Sequence, residues 1–233
     1  MSLAEDTGGP APFKPLKQKP PKITVKRNDA GAIYISSDHP LPEMKRSVPH
    51  ILEERAGLHP DRNFIAERGP DGAWRFITYG EANAKADAVA SALLQRGFDS
   101  STPLMVLSGN SIEHALMTYG AILAGVPAAP VSPSYSTMSS DFDKLRYVFN
   151  LLEPKLIFMQ EAAPFERALK ALPLDGVELV TVDGSMGTPF ATLLETAPGE
   201  AVEKSYAGLH GDMVAKYLFT SGSTGMPLSL IPL

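Results

Sequence analysis

The stretch 104-LMVLSGNSIEHALMTYGAILAGVPAAPV-131 decides the fold. It opens on an apolar run, 104-LMVLS-108, short and apolar on both faces, as a strand buried between two layers must be. Gly109-Asn110-Ser111 breaks that run, and a helical stretch is expected over 111–124. A second short apolar run, 128-AAPV-131, follows at once. The same alternation continues downstream, with apolar runs at 155-KLIFM-159, 177-VELVTV-182 and 214-VAKYLF-219 and helical stretches at 139–152 and 164–172. Short doubly apolar runs alternating with amphipathic segments suit a parallel sheet covered by helices on both faces.

Upstream the pattern is different. Two alternating runs in 23-ITVKRNDAGAIYIS-36 flank Asn-Asp-Ala-Gly, a hairpin signal, and 49-PHILEERAGL-58 reads as a short helix with Ser47 near its start. A second hairpin is expected where Gly-Pro-Asp-Gly joins 63-NFIAER-68 to 73-AWRFITY-79, with Trp74 packed on a neighbouring element. Thr78 and Glu81 form a capping box that opens a helix over 79–96, with Ala86, Val89, Ala90, Leu93 and Leu94 on one stripe and Gly97 closing it. The fold class expected is α/β: a mostly parallel sheet flanked by helices, with a β-hairpin-rich entry.

Composition narrows the function. The 233 residues carry 21 basic and 26 acidic side chains, a net charge of −5, which disfavours a nucleic-acid binder. Cysteine is absent, so no disulfide, thiolate metal site or cysteine nucleophile is available. The start MSLAEDTGGPAP lacks the basic and apolar regions of a secretory signal. The longest apolar stretch, 115–131, is broken by glycines and prolines and is too short to span a bilayer. A soluble, cytoplasmic protein is expected. Residues 1–22, with five prolines and four lysines, are expected to form a disordered tail.

The chemistry is concentrated near the C-terminus, in 217-YLFTSGSTGMPLSLIPL-233. An apolar strand feeds directly into Thr220, Ser221, Gly222, Ser223, Thr224 and Gly225. Gly222 and Gly225 tolerate positive φ, which lets successive N–H groups turn inward as an anion nest, and the four hydroxyls suit phosphate oxygens. A mobile Ser/Gly linker is the plainer alternative, disfavoured by the direct feed from a strand. A Walker loop fails for want of a lysine after the second glycine.

This stretch resembles the signature of the adenylate-forming superfamily, [YF]-T-S-G-[ST]-T-G-x-P-K-[GA], and Phe219 to Pro227 match it position by position. The segments 104–136 and 139–160 are similar to the strand, turn and helix blocks of the same superfamily. Within it, S-G-N-S-I-E-H, A-P-V-S-P-S-Y-S and D-F-x-K-L-R most resemble feruloyl-CoA synthases. The resemblance implies a partial AMP-binding N-terminal domain over 23–227. It implies ATP and Mg²⁺, CoA as co-substrate, and a small-molecule carboxylate of the hydroxycinnamate class. The carboxylate would attack the α-phosphate of ATP to give an acyl-adenylate and pyrophosphate, and CoA would then displace AMP. The loop Thr220–Gly225 is implied to contact the ATP phosphates.

The resemblance stops at Leu228, where the superfamily carries lysine, and residues 228–233 do not match. The later adenine, ribose and metal segments are absent from the chain, so no catalytic residue and no metal ligand is assigned. The chain as given is expected to be inactive as a ligase, a truncated synthetase. The alternative is a non-enzymatic fragment that binds phosphate weakly or pairs with another chain. Other candidates read as structural: His114 as a surface or packed histidine, Asp141 and Asp143 as helix-capping acids after Ser139, and Tyr135 as a loop-packing residue.

Overall fold

The computed structural model describes residues 20–41, 45, 47–220, 226 and 229–230. It divides into two compact units, residues 1–44 and 45–233. In the first, β1 (Ile23–Arg27) and β2 (Ile33–Ser37) pair antiparallel with Val25 opposite Ile35. Asn28 Oδ1 accepts the Ala32 N–H at 2.9 Å, and Gly31 takes φ +81, the left-handed conformation that the turn requires.

The second unit begins with α1 (Val48–Leu58), capped by the Ser47 hydroxyl. The expected second hairpin follows as β3 (Asn63–Arg68) and β4 (Trp74–Thr78). Trp74 departs from expectation. It packs on its own hairpin, with the Arg68 guanidinium 4.7 Å from its ring centre and Phe76 at 6.4 Å, and stays 54% exposed. A local cation–π partner shields one face of the indole without any neighbouring element. The capping box forms in full at the start of α2 (Tyr79–Gln95), with the Thr78 N–H on Glu81 Oε2 and the Glu81 N–H on Thr78 Oγ1.

The sheet alternates with helices as the sequence predicts. The chain runs through β5 (Leu104–Val106), α3 (Ile112–Leu123), β6 (Ala128–Pro130), the single turn α4 (Ser134–Thr137), α5 (Asp143–Leu152) and β7 (Leu156–Met159). A 3₁₀ turn and the short α6 (Glu166–Leu169) lead to β8 (Glu178–Thr181), β9 (Thr188–Pro189), α7 (Phe190–Leu194) and α8 (Glu200–Gly208). The strands stand in the order β6-β5-β7-β8-β9, all parallel. Pleat alternation splits their side chains between two cores. Leu104, Val106, Leu156 and Phe158 join Val89, Leu93 and Met117 of α2 and α3 on one face. Met105, Leu107, Ile157 and Met159 join Leu145, Val148 and Phe149 of α5 on the other.

Small residues let α2 and α3 approach closely. A Cβ on Gly120 would lie 2.5 Å from Val89 Cβ and Cγ1 and 2.9 Å from the Ala86 carbonyl oxygen. The far end of α2 is tied to the sheet by Arg96, whose Nε and Nη2 donate to Glu178 at 2.8 and 3.1 Å. Helices α7 and α8 have no counterpart in the sequence reading. Helix α7 is only five residues long, and α8 packs through a thin stripe, Val202 with the part-buried Tyr206, while the Ser205 hydroxyl donates to the Leu123 carbonyl at 2.8 Å.

The run 214–219 differs from the buried strand expected. Its residues are half-buried, because the segment lies along the outer edge of β6. The Ala128 N–H donates to the Ala215 carbonyl and the Tyr217 N–H to the Ala128 carbonyl, each at 3.0 Å, with a parallel bridge at Lys216. Beyond it, β10 (Leu218–Phe219) pairs antiparallel with β11 (Ser229–Leu230). No helix among the described residues is long and apolar enough to cross a membrane.

Candidate phosphate-binding edge of the sheet

Parallel pairing sets the direction of the 214–219 segment. Because it runs parallel to β6, it delivers Thr220 to the carboxyl end of the sheet, where open α/β sheets bind ligands. Of the six loop residues singled out in the sequence, Thr220 is described, and it is half-buried. Ser221, Gly222, Ser223, Thr224 and Gly225 lie outside the described residues.

The loop that follows β6 meets the same edge. Pro133 opens α4, and Thr137 Oγ1 returns to the Pro133 carbonyl at 3.0 Å. Tyr135 is 8% exposed, and its hydroxyl donates to the Thr220 carbonyl at 3.4 Å. The sequence assigned Tyr135 to loop packing. The structure keeps that role and adds a contact to the first residue of the Ser/Thr/Gly stretch. An aromatic residue inside S-P-S-Y-S was the available signal; its partner, 85 positions away, was not.

The crevice between β5 and β7, where the strand order reverses, is occupied by a polar network instead. Arg75 of β4 donates twice to Glu113 of α3, Nη1 to Oε1 at 2.5 Å and Nη2 to Oε2 at 2.8 Å, and also contacts Glu67 of β3. Glu67 Oε2 accepts the Ile112 N–H at 2.7 Å, adding a second cap to α3 beside Ser111. Gln160 Nε2 reaches Glu113 at 3.4 Å, while its N–H donates to Ser108 Oγ at 3.2 Å. Burial pushes the Glu113 carboxyl up, but the Arg75 hydrogen bonds, a backbone N–H, the Arg75 charge and Gln160 together outweigh it and hold the pKa below the ordinary value. The same contacts raise Arg75 further above its usual range. The network fixes hairpin β3–β4 on α3 and leaves its carboxylates committed.

The remaining sequence candidates are placed plainly. His114 Nδ1 donates to the Gly109 carbonyl at 3.0 Å, and the ring lines an open groove of about 310 Å³ with Asn110, Ser111, Tyr119 and Lys216. Asp141 accepts from Ser139 Oγ at 2.9 Å and from the Asp143 N–H at 3.2 Å, just before α5. The Asp143 N–H and the Ser139 hydroxyl hold its carboxyl below the usual range. Asp143 pairs with Arg146 at 2.5 Å, so both acids serve the helix start. Among the described residues no cluster of histidine and carboxylate side chains has the geometry of a metal site.

A second cavity, of about 220 Å³, lies between α1, α2 and α8. Glu53, Asp87 and Glu203 line it, with Leu52, Leu123 and Val202 as its apolar walls. Asn83 Nδ2 donates to Asp87 Oδ2 at 3.2 Å, and the Tyr206 hydroxyl contacts both His50 and Glu53. Burial, then the Glu53 charge, push the Asp87 carboxyl up to about 6. It stands on the helix layer, away from the sheet's carboxyl edge.

Comparison with known proteins bears on the family and the fold. The family model described as AMP-binding enzyme matches residues 52–227. Surfactin synthase subunit 1 of Bacillus subtilis (strain 168) is 28% identical over 189 residues, covering 81% of this chain and 5% of that protein. Olefin beta-lactone synthetase of Xanthomonas campestris pv. campestris is 27% identical over 198 residues, covering 82% of this chain and 34% of that protein. The chain thus spans about a third or less of these curated relatives. Among solved structures, the inhibitor-bound N-terminal domain of FACL13 from Mycobacterium tuberculosis superposes with a TM-score of 0.64 at 22% identity, covering 80% of this chain and 44% of that one. The fatty acyl-adenylate ligase from L. pneumophila, solved with acyl adenylate and pyrophosphate, gives 0.60 at 17% identity, covering 79% and 30%. With three-quarters of its length matched by one family model and its sheet matched by this N-terminal domain, the chain belongs to the AMP-binding enzyme family.

Proposed function

We propose that this chain is the N-terminal part of an ATP-dependent acid–thiol ligase, and that Thr220 to Gly225 hold the phosphates of ATP. The reading rests on one observation. The segment 214–219 runs parallel along the β6 edge toward the carboxyl end of the sheet, and in the sequence it continues directly into the motif F-T-S-G-S-T-G-M-P. A carboxylate is a poor acyl donor until its oxygen becomes part of a good leaving group, and adenylation supplies one. In such a transfer the loop's backbone N–H groups and hydroxyls position charged oxygens, so its contribution is orientation and electrostatics. Thioester formation with CoA would complete the reaction of the whole enzyme. A hydroxycinnamate is the proposed acid, supported by S-G-N-S-I-E-H, A-P-V-S-P-S-Y-S and D-F-x-K-L-R.

The test uses the chain as it stands. Calorimetric titration with ATP and Mg²⁺, and separately with inorganic tripolyphosphate, should give saturable binding, and a G222P/G225P double variant should abolish it. Leu228→Lys should tighten ATP binding by about three- to tenfold, since a cation there adds a charge-assisted contact to phosphate. Equal heats for wild type and the double variant would refute the reading.

A further inference from the structure

Lys216 is half-buried at the β6 edge and pairs with no carboxylate among the described residues. We propose that the groove it shares with α3 binds a small hydroxycarboxylate, Lys216 holding the carboxylate and His114 the hydroxyl. The site uses none of the residues from Thr220 to Gly225.

The sheet edge fixes the lysine. The Ala128 N–H on the Ala215 carbonyl and the Tyr217 N–H on the Ala128 carbonyl hold the backbone on both sides of it. Side chains alternate along an extended segment, and Tyr217 packs in the α5 core, so Lys216 is directed to the opposite face, the one covered by α3. There it lines the open groove of about 310 Å³, a volume at the lower end of small-molecule sites. Among the described residues no carboxylate lines this groove. Lysines are seldom buried without a partner, and a ligand anion would supply one.

The facing wall is one side of α3. Ser111, His114, Ala115 and Tyr119 recur at three- and four-residue spacing, which aligns them along the helix. Two of the first amides of α3 are already committed, the Ile112 N–H to Glu67 and the His114 N–H to Ser111 Oγ, so recognition falls to side chains. His114 Nδ1 donates to the Gly109 carbonyl at 3.0 Å, and that fixes the tautomer. In the neutral ring Nε2 then carries the lone pair and accepts, which suits a ligand hydroxyl. Ile65, Ala115 and the Tyr119 ring, braced edge-on by Phe64 at 5.7 Å, offer a wall to the ligand's carbon body.

Charge selects the anion. One ammonium offsets one negative charge. The adjoining network of Glu67, Glu113 and Arg75 has two carboxylates against one guanidinium and is itself net negative. A phosphate dianion would be repelled there, whereas a carboxylate matches the single lysine.

The experiment is an NMR titration of the full 233-residue chain, labelled at its alanine methyls. The probes are α-hydroxyisocaproate and isocaproate, which differ only in the hydroxyl. The Ala115 methyl should shift saturably with the first, and the second should bind about two- to tenfold more weakly, the range of one hydrogen bond. Lys216→Met keeps the stem and should weaken both acids by about tenfold or more, the loss of one charge-assisted contact. Lys216→Arg should restore most of that loss. His114→Phe should bind isocaproate as wild type does and erase the advantage of the hydroxy acid. The G222P/G225P variant should bind both acids unchanged, which separates this groove from the phosphate loop. No saturable shift at Ala115, full affinity in Lys216→Met, or a hydroxyl preference that survives His114→Phe would overturn the proposal.

Discussion

Replacing Asp87 with asparagine should stabilise the protein at neutral pH and do nothing in acid. Asp87 projects from α2 into the cavity shared with α1 and α8, where Glu53 and Glu203 add negative charge. Burial and the Glu53 charge raise its pKa from 3.8 to about 6. A folded-state pKa above the unfolded value means that the protonated form is preferred on folding. The associated stability is therefore full below about pH 4 and is lost as pH rises through 6. At about 1.4 kcal/mol per pH unit, the loss at pH 8 would be about 3 kcal/mol for a group cut off from water. Asp87 keeps part of its contact with solvent, which screens the charge, so we take about half, roughly 1.5 kcal/mol. Asp87→Asn removes the charge at constant shape. Urea unfolding at pH 8 should show the variant more stable by about that amount, or a melting point higher by about 3–6 °C. At pH 4.5 the gain should shrink by more than half. A variant no more stable than wild type at pH 8, or a gain that persists undiminished at pH 4.5, would refute the electrostatic account of this cavity.

Two further substitutions probe the scaffold. Gly120→Ala forces a methyl within 2.5 Å of Val89 and should cost about 1–3 kcal/mol, read as a lower urea midpoint. Glu113→Ala removes the bidentate partner of Arg75 and the acceptor of Gln160, and should cost about 1–3 kcal/mol at pH 7. The folded pKa of Glu113 is lowered, so this stability is present above the ordinary carboxylate range and fades as pH falls through the folded value. The deficit of Glu113→Ala measured by unfolding should narrow below about pH 4.

Much of this protein is written in local pattern. The hairpins at 23–37 and 63–78, the capping box of Thr78 and Glu81, and the strands at 104, 128, 156 and 178 follow from periodicities and turn residues within a few positions of each other. Hydrophobic alternation, turn chemistry and capping act over one or two turns of chain, so sequence carries them directly. The F-T-S-G-S-T-G-M-P motif is equally local, and it names its chemistry without a fold. Helix α8 was not legible because its inward stripe is thin: Val202, the part-buried Tyr206 and the flanking Leu209 are separated by polar and small residues. Nor was the placement of 214–219 on an edge: its apolar composition fits a central strand as well, and only the pairing with Ala128 decides. The same holds for the polar contacts that matter most here. Arg75 meets Glu113 across 38 residues, and Tyr135 meets Thr220 across 85. The sequence alone determined which residue types were available and the class of fold that would hold them. Which of them meet was decided by tertiary packing, because hydrogen bonds act over about 3 Å of space whatever their separation along the chain.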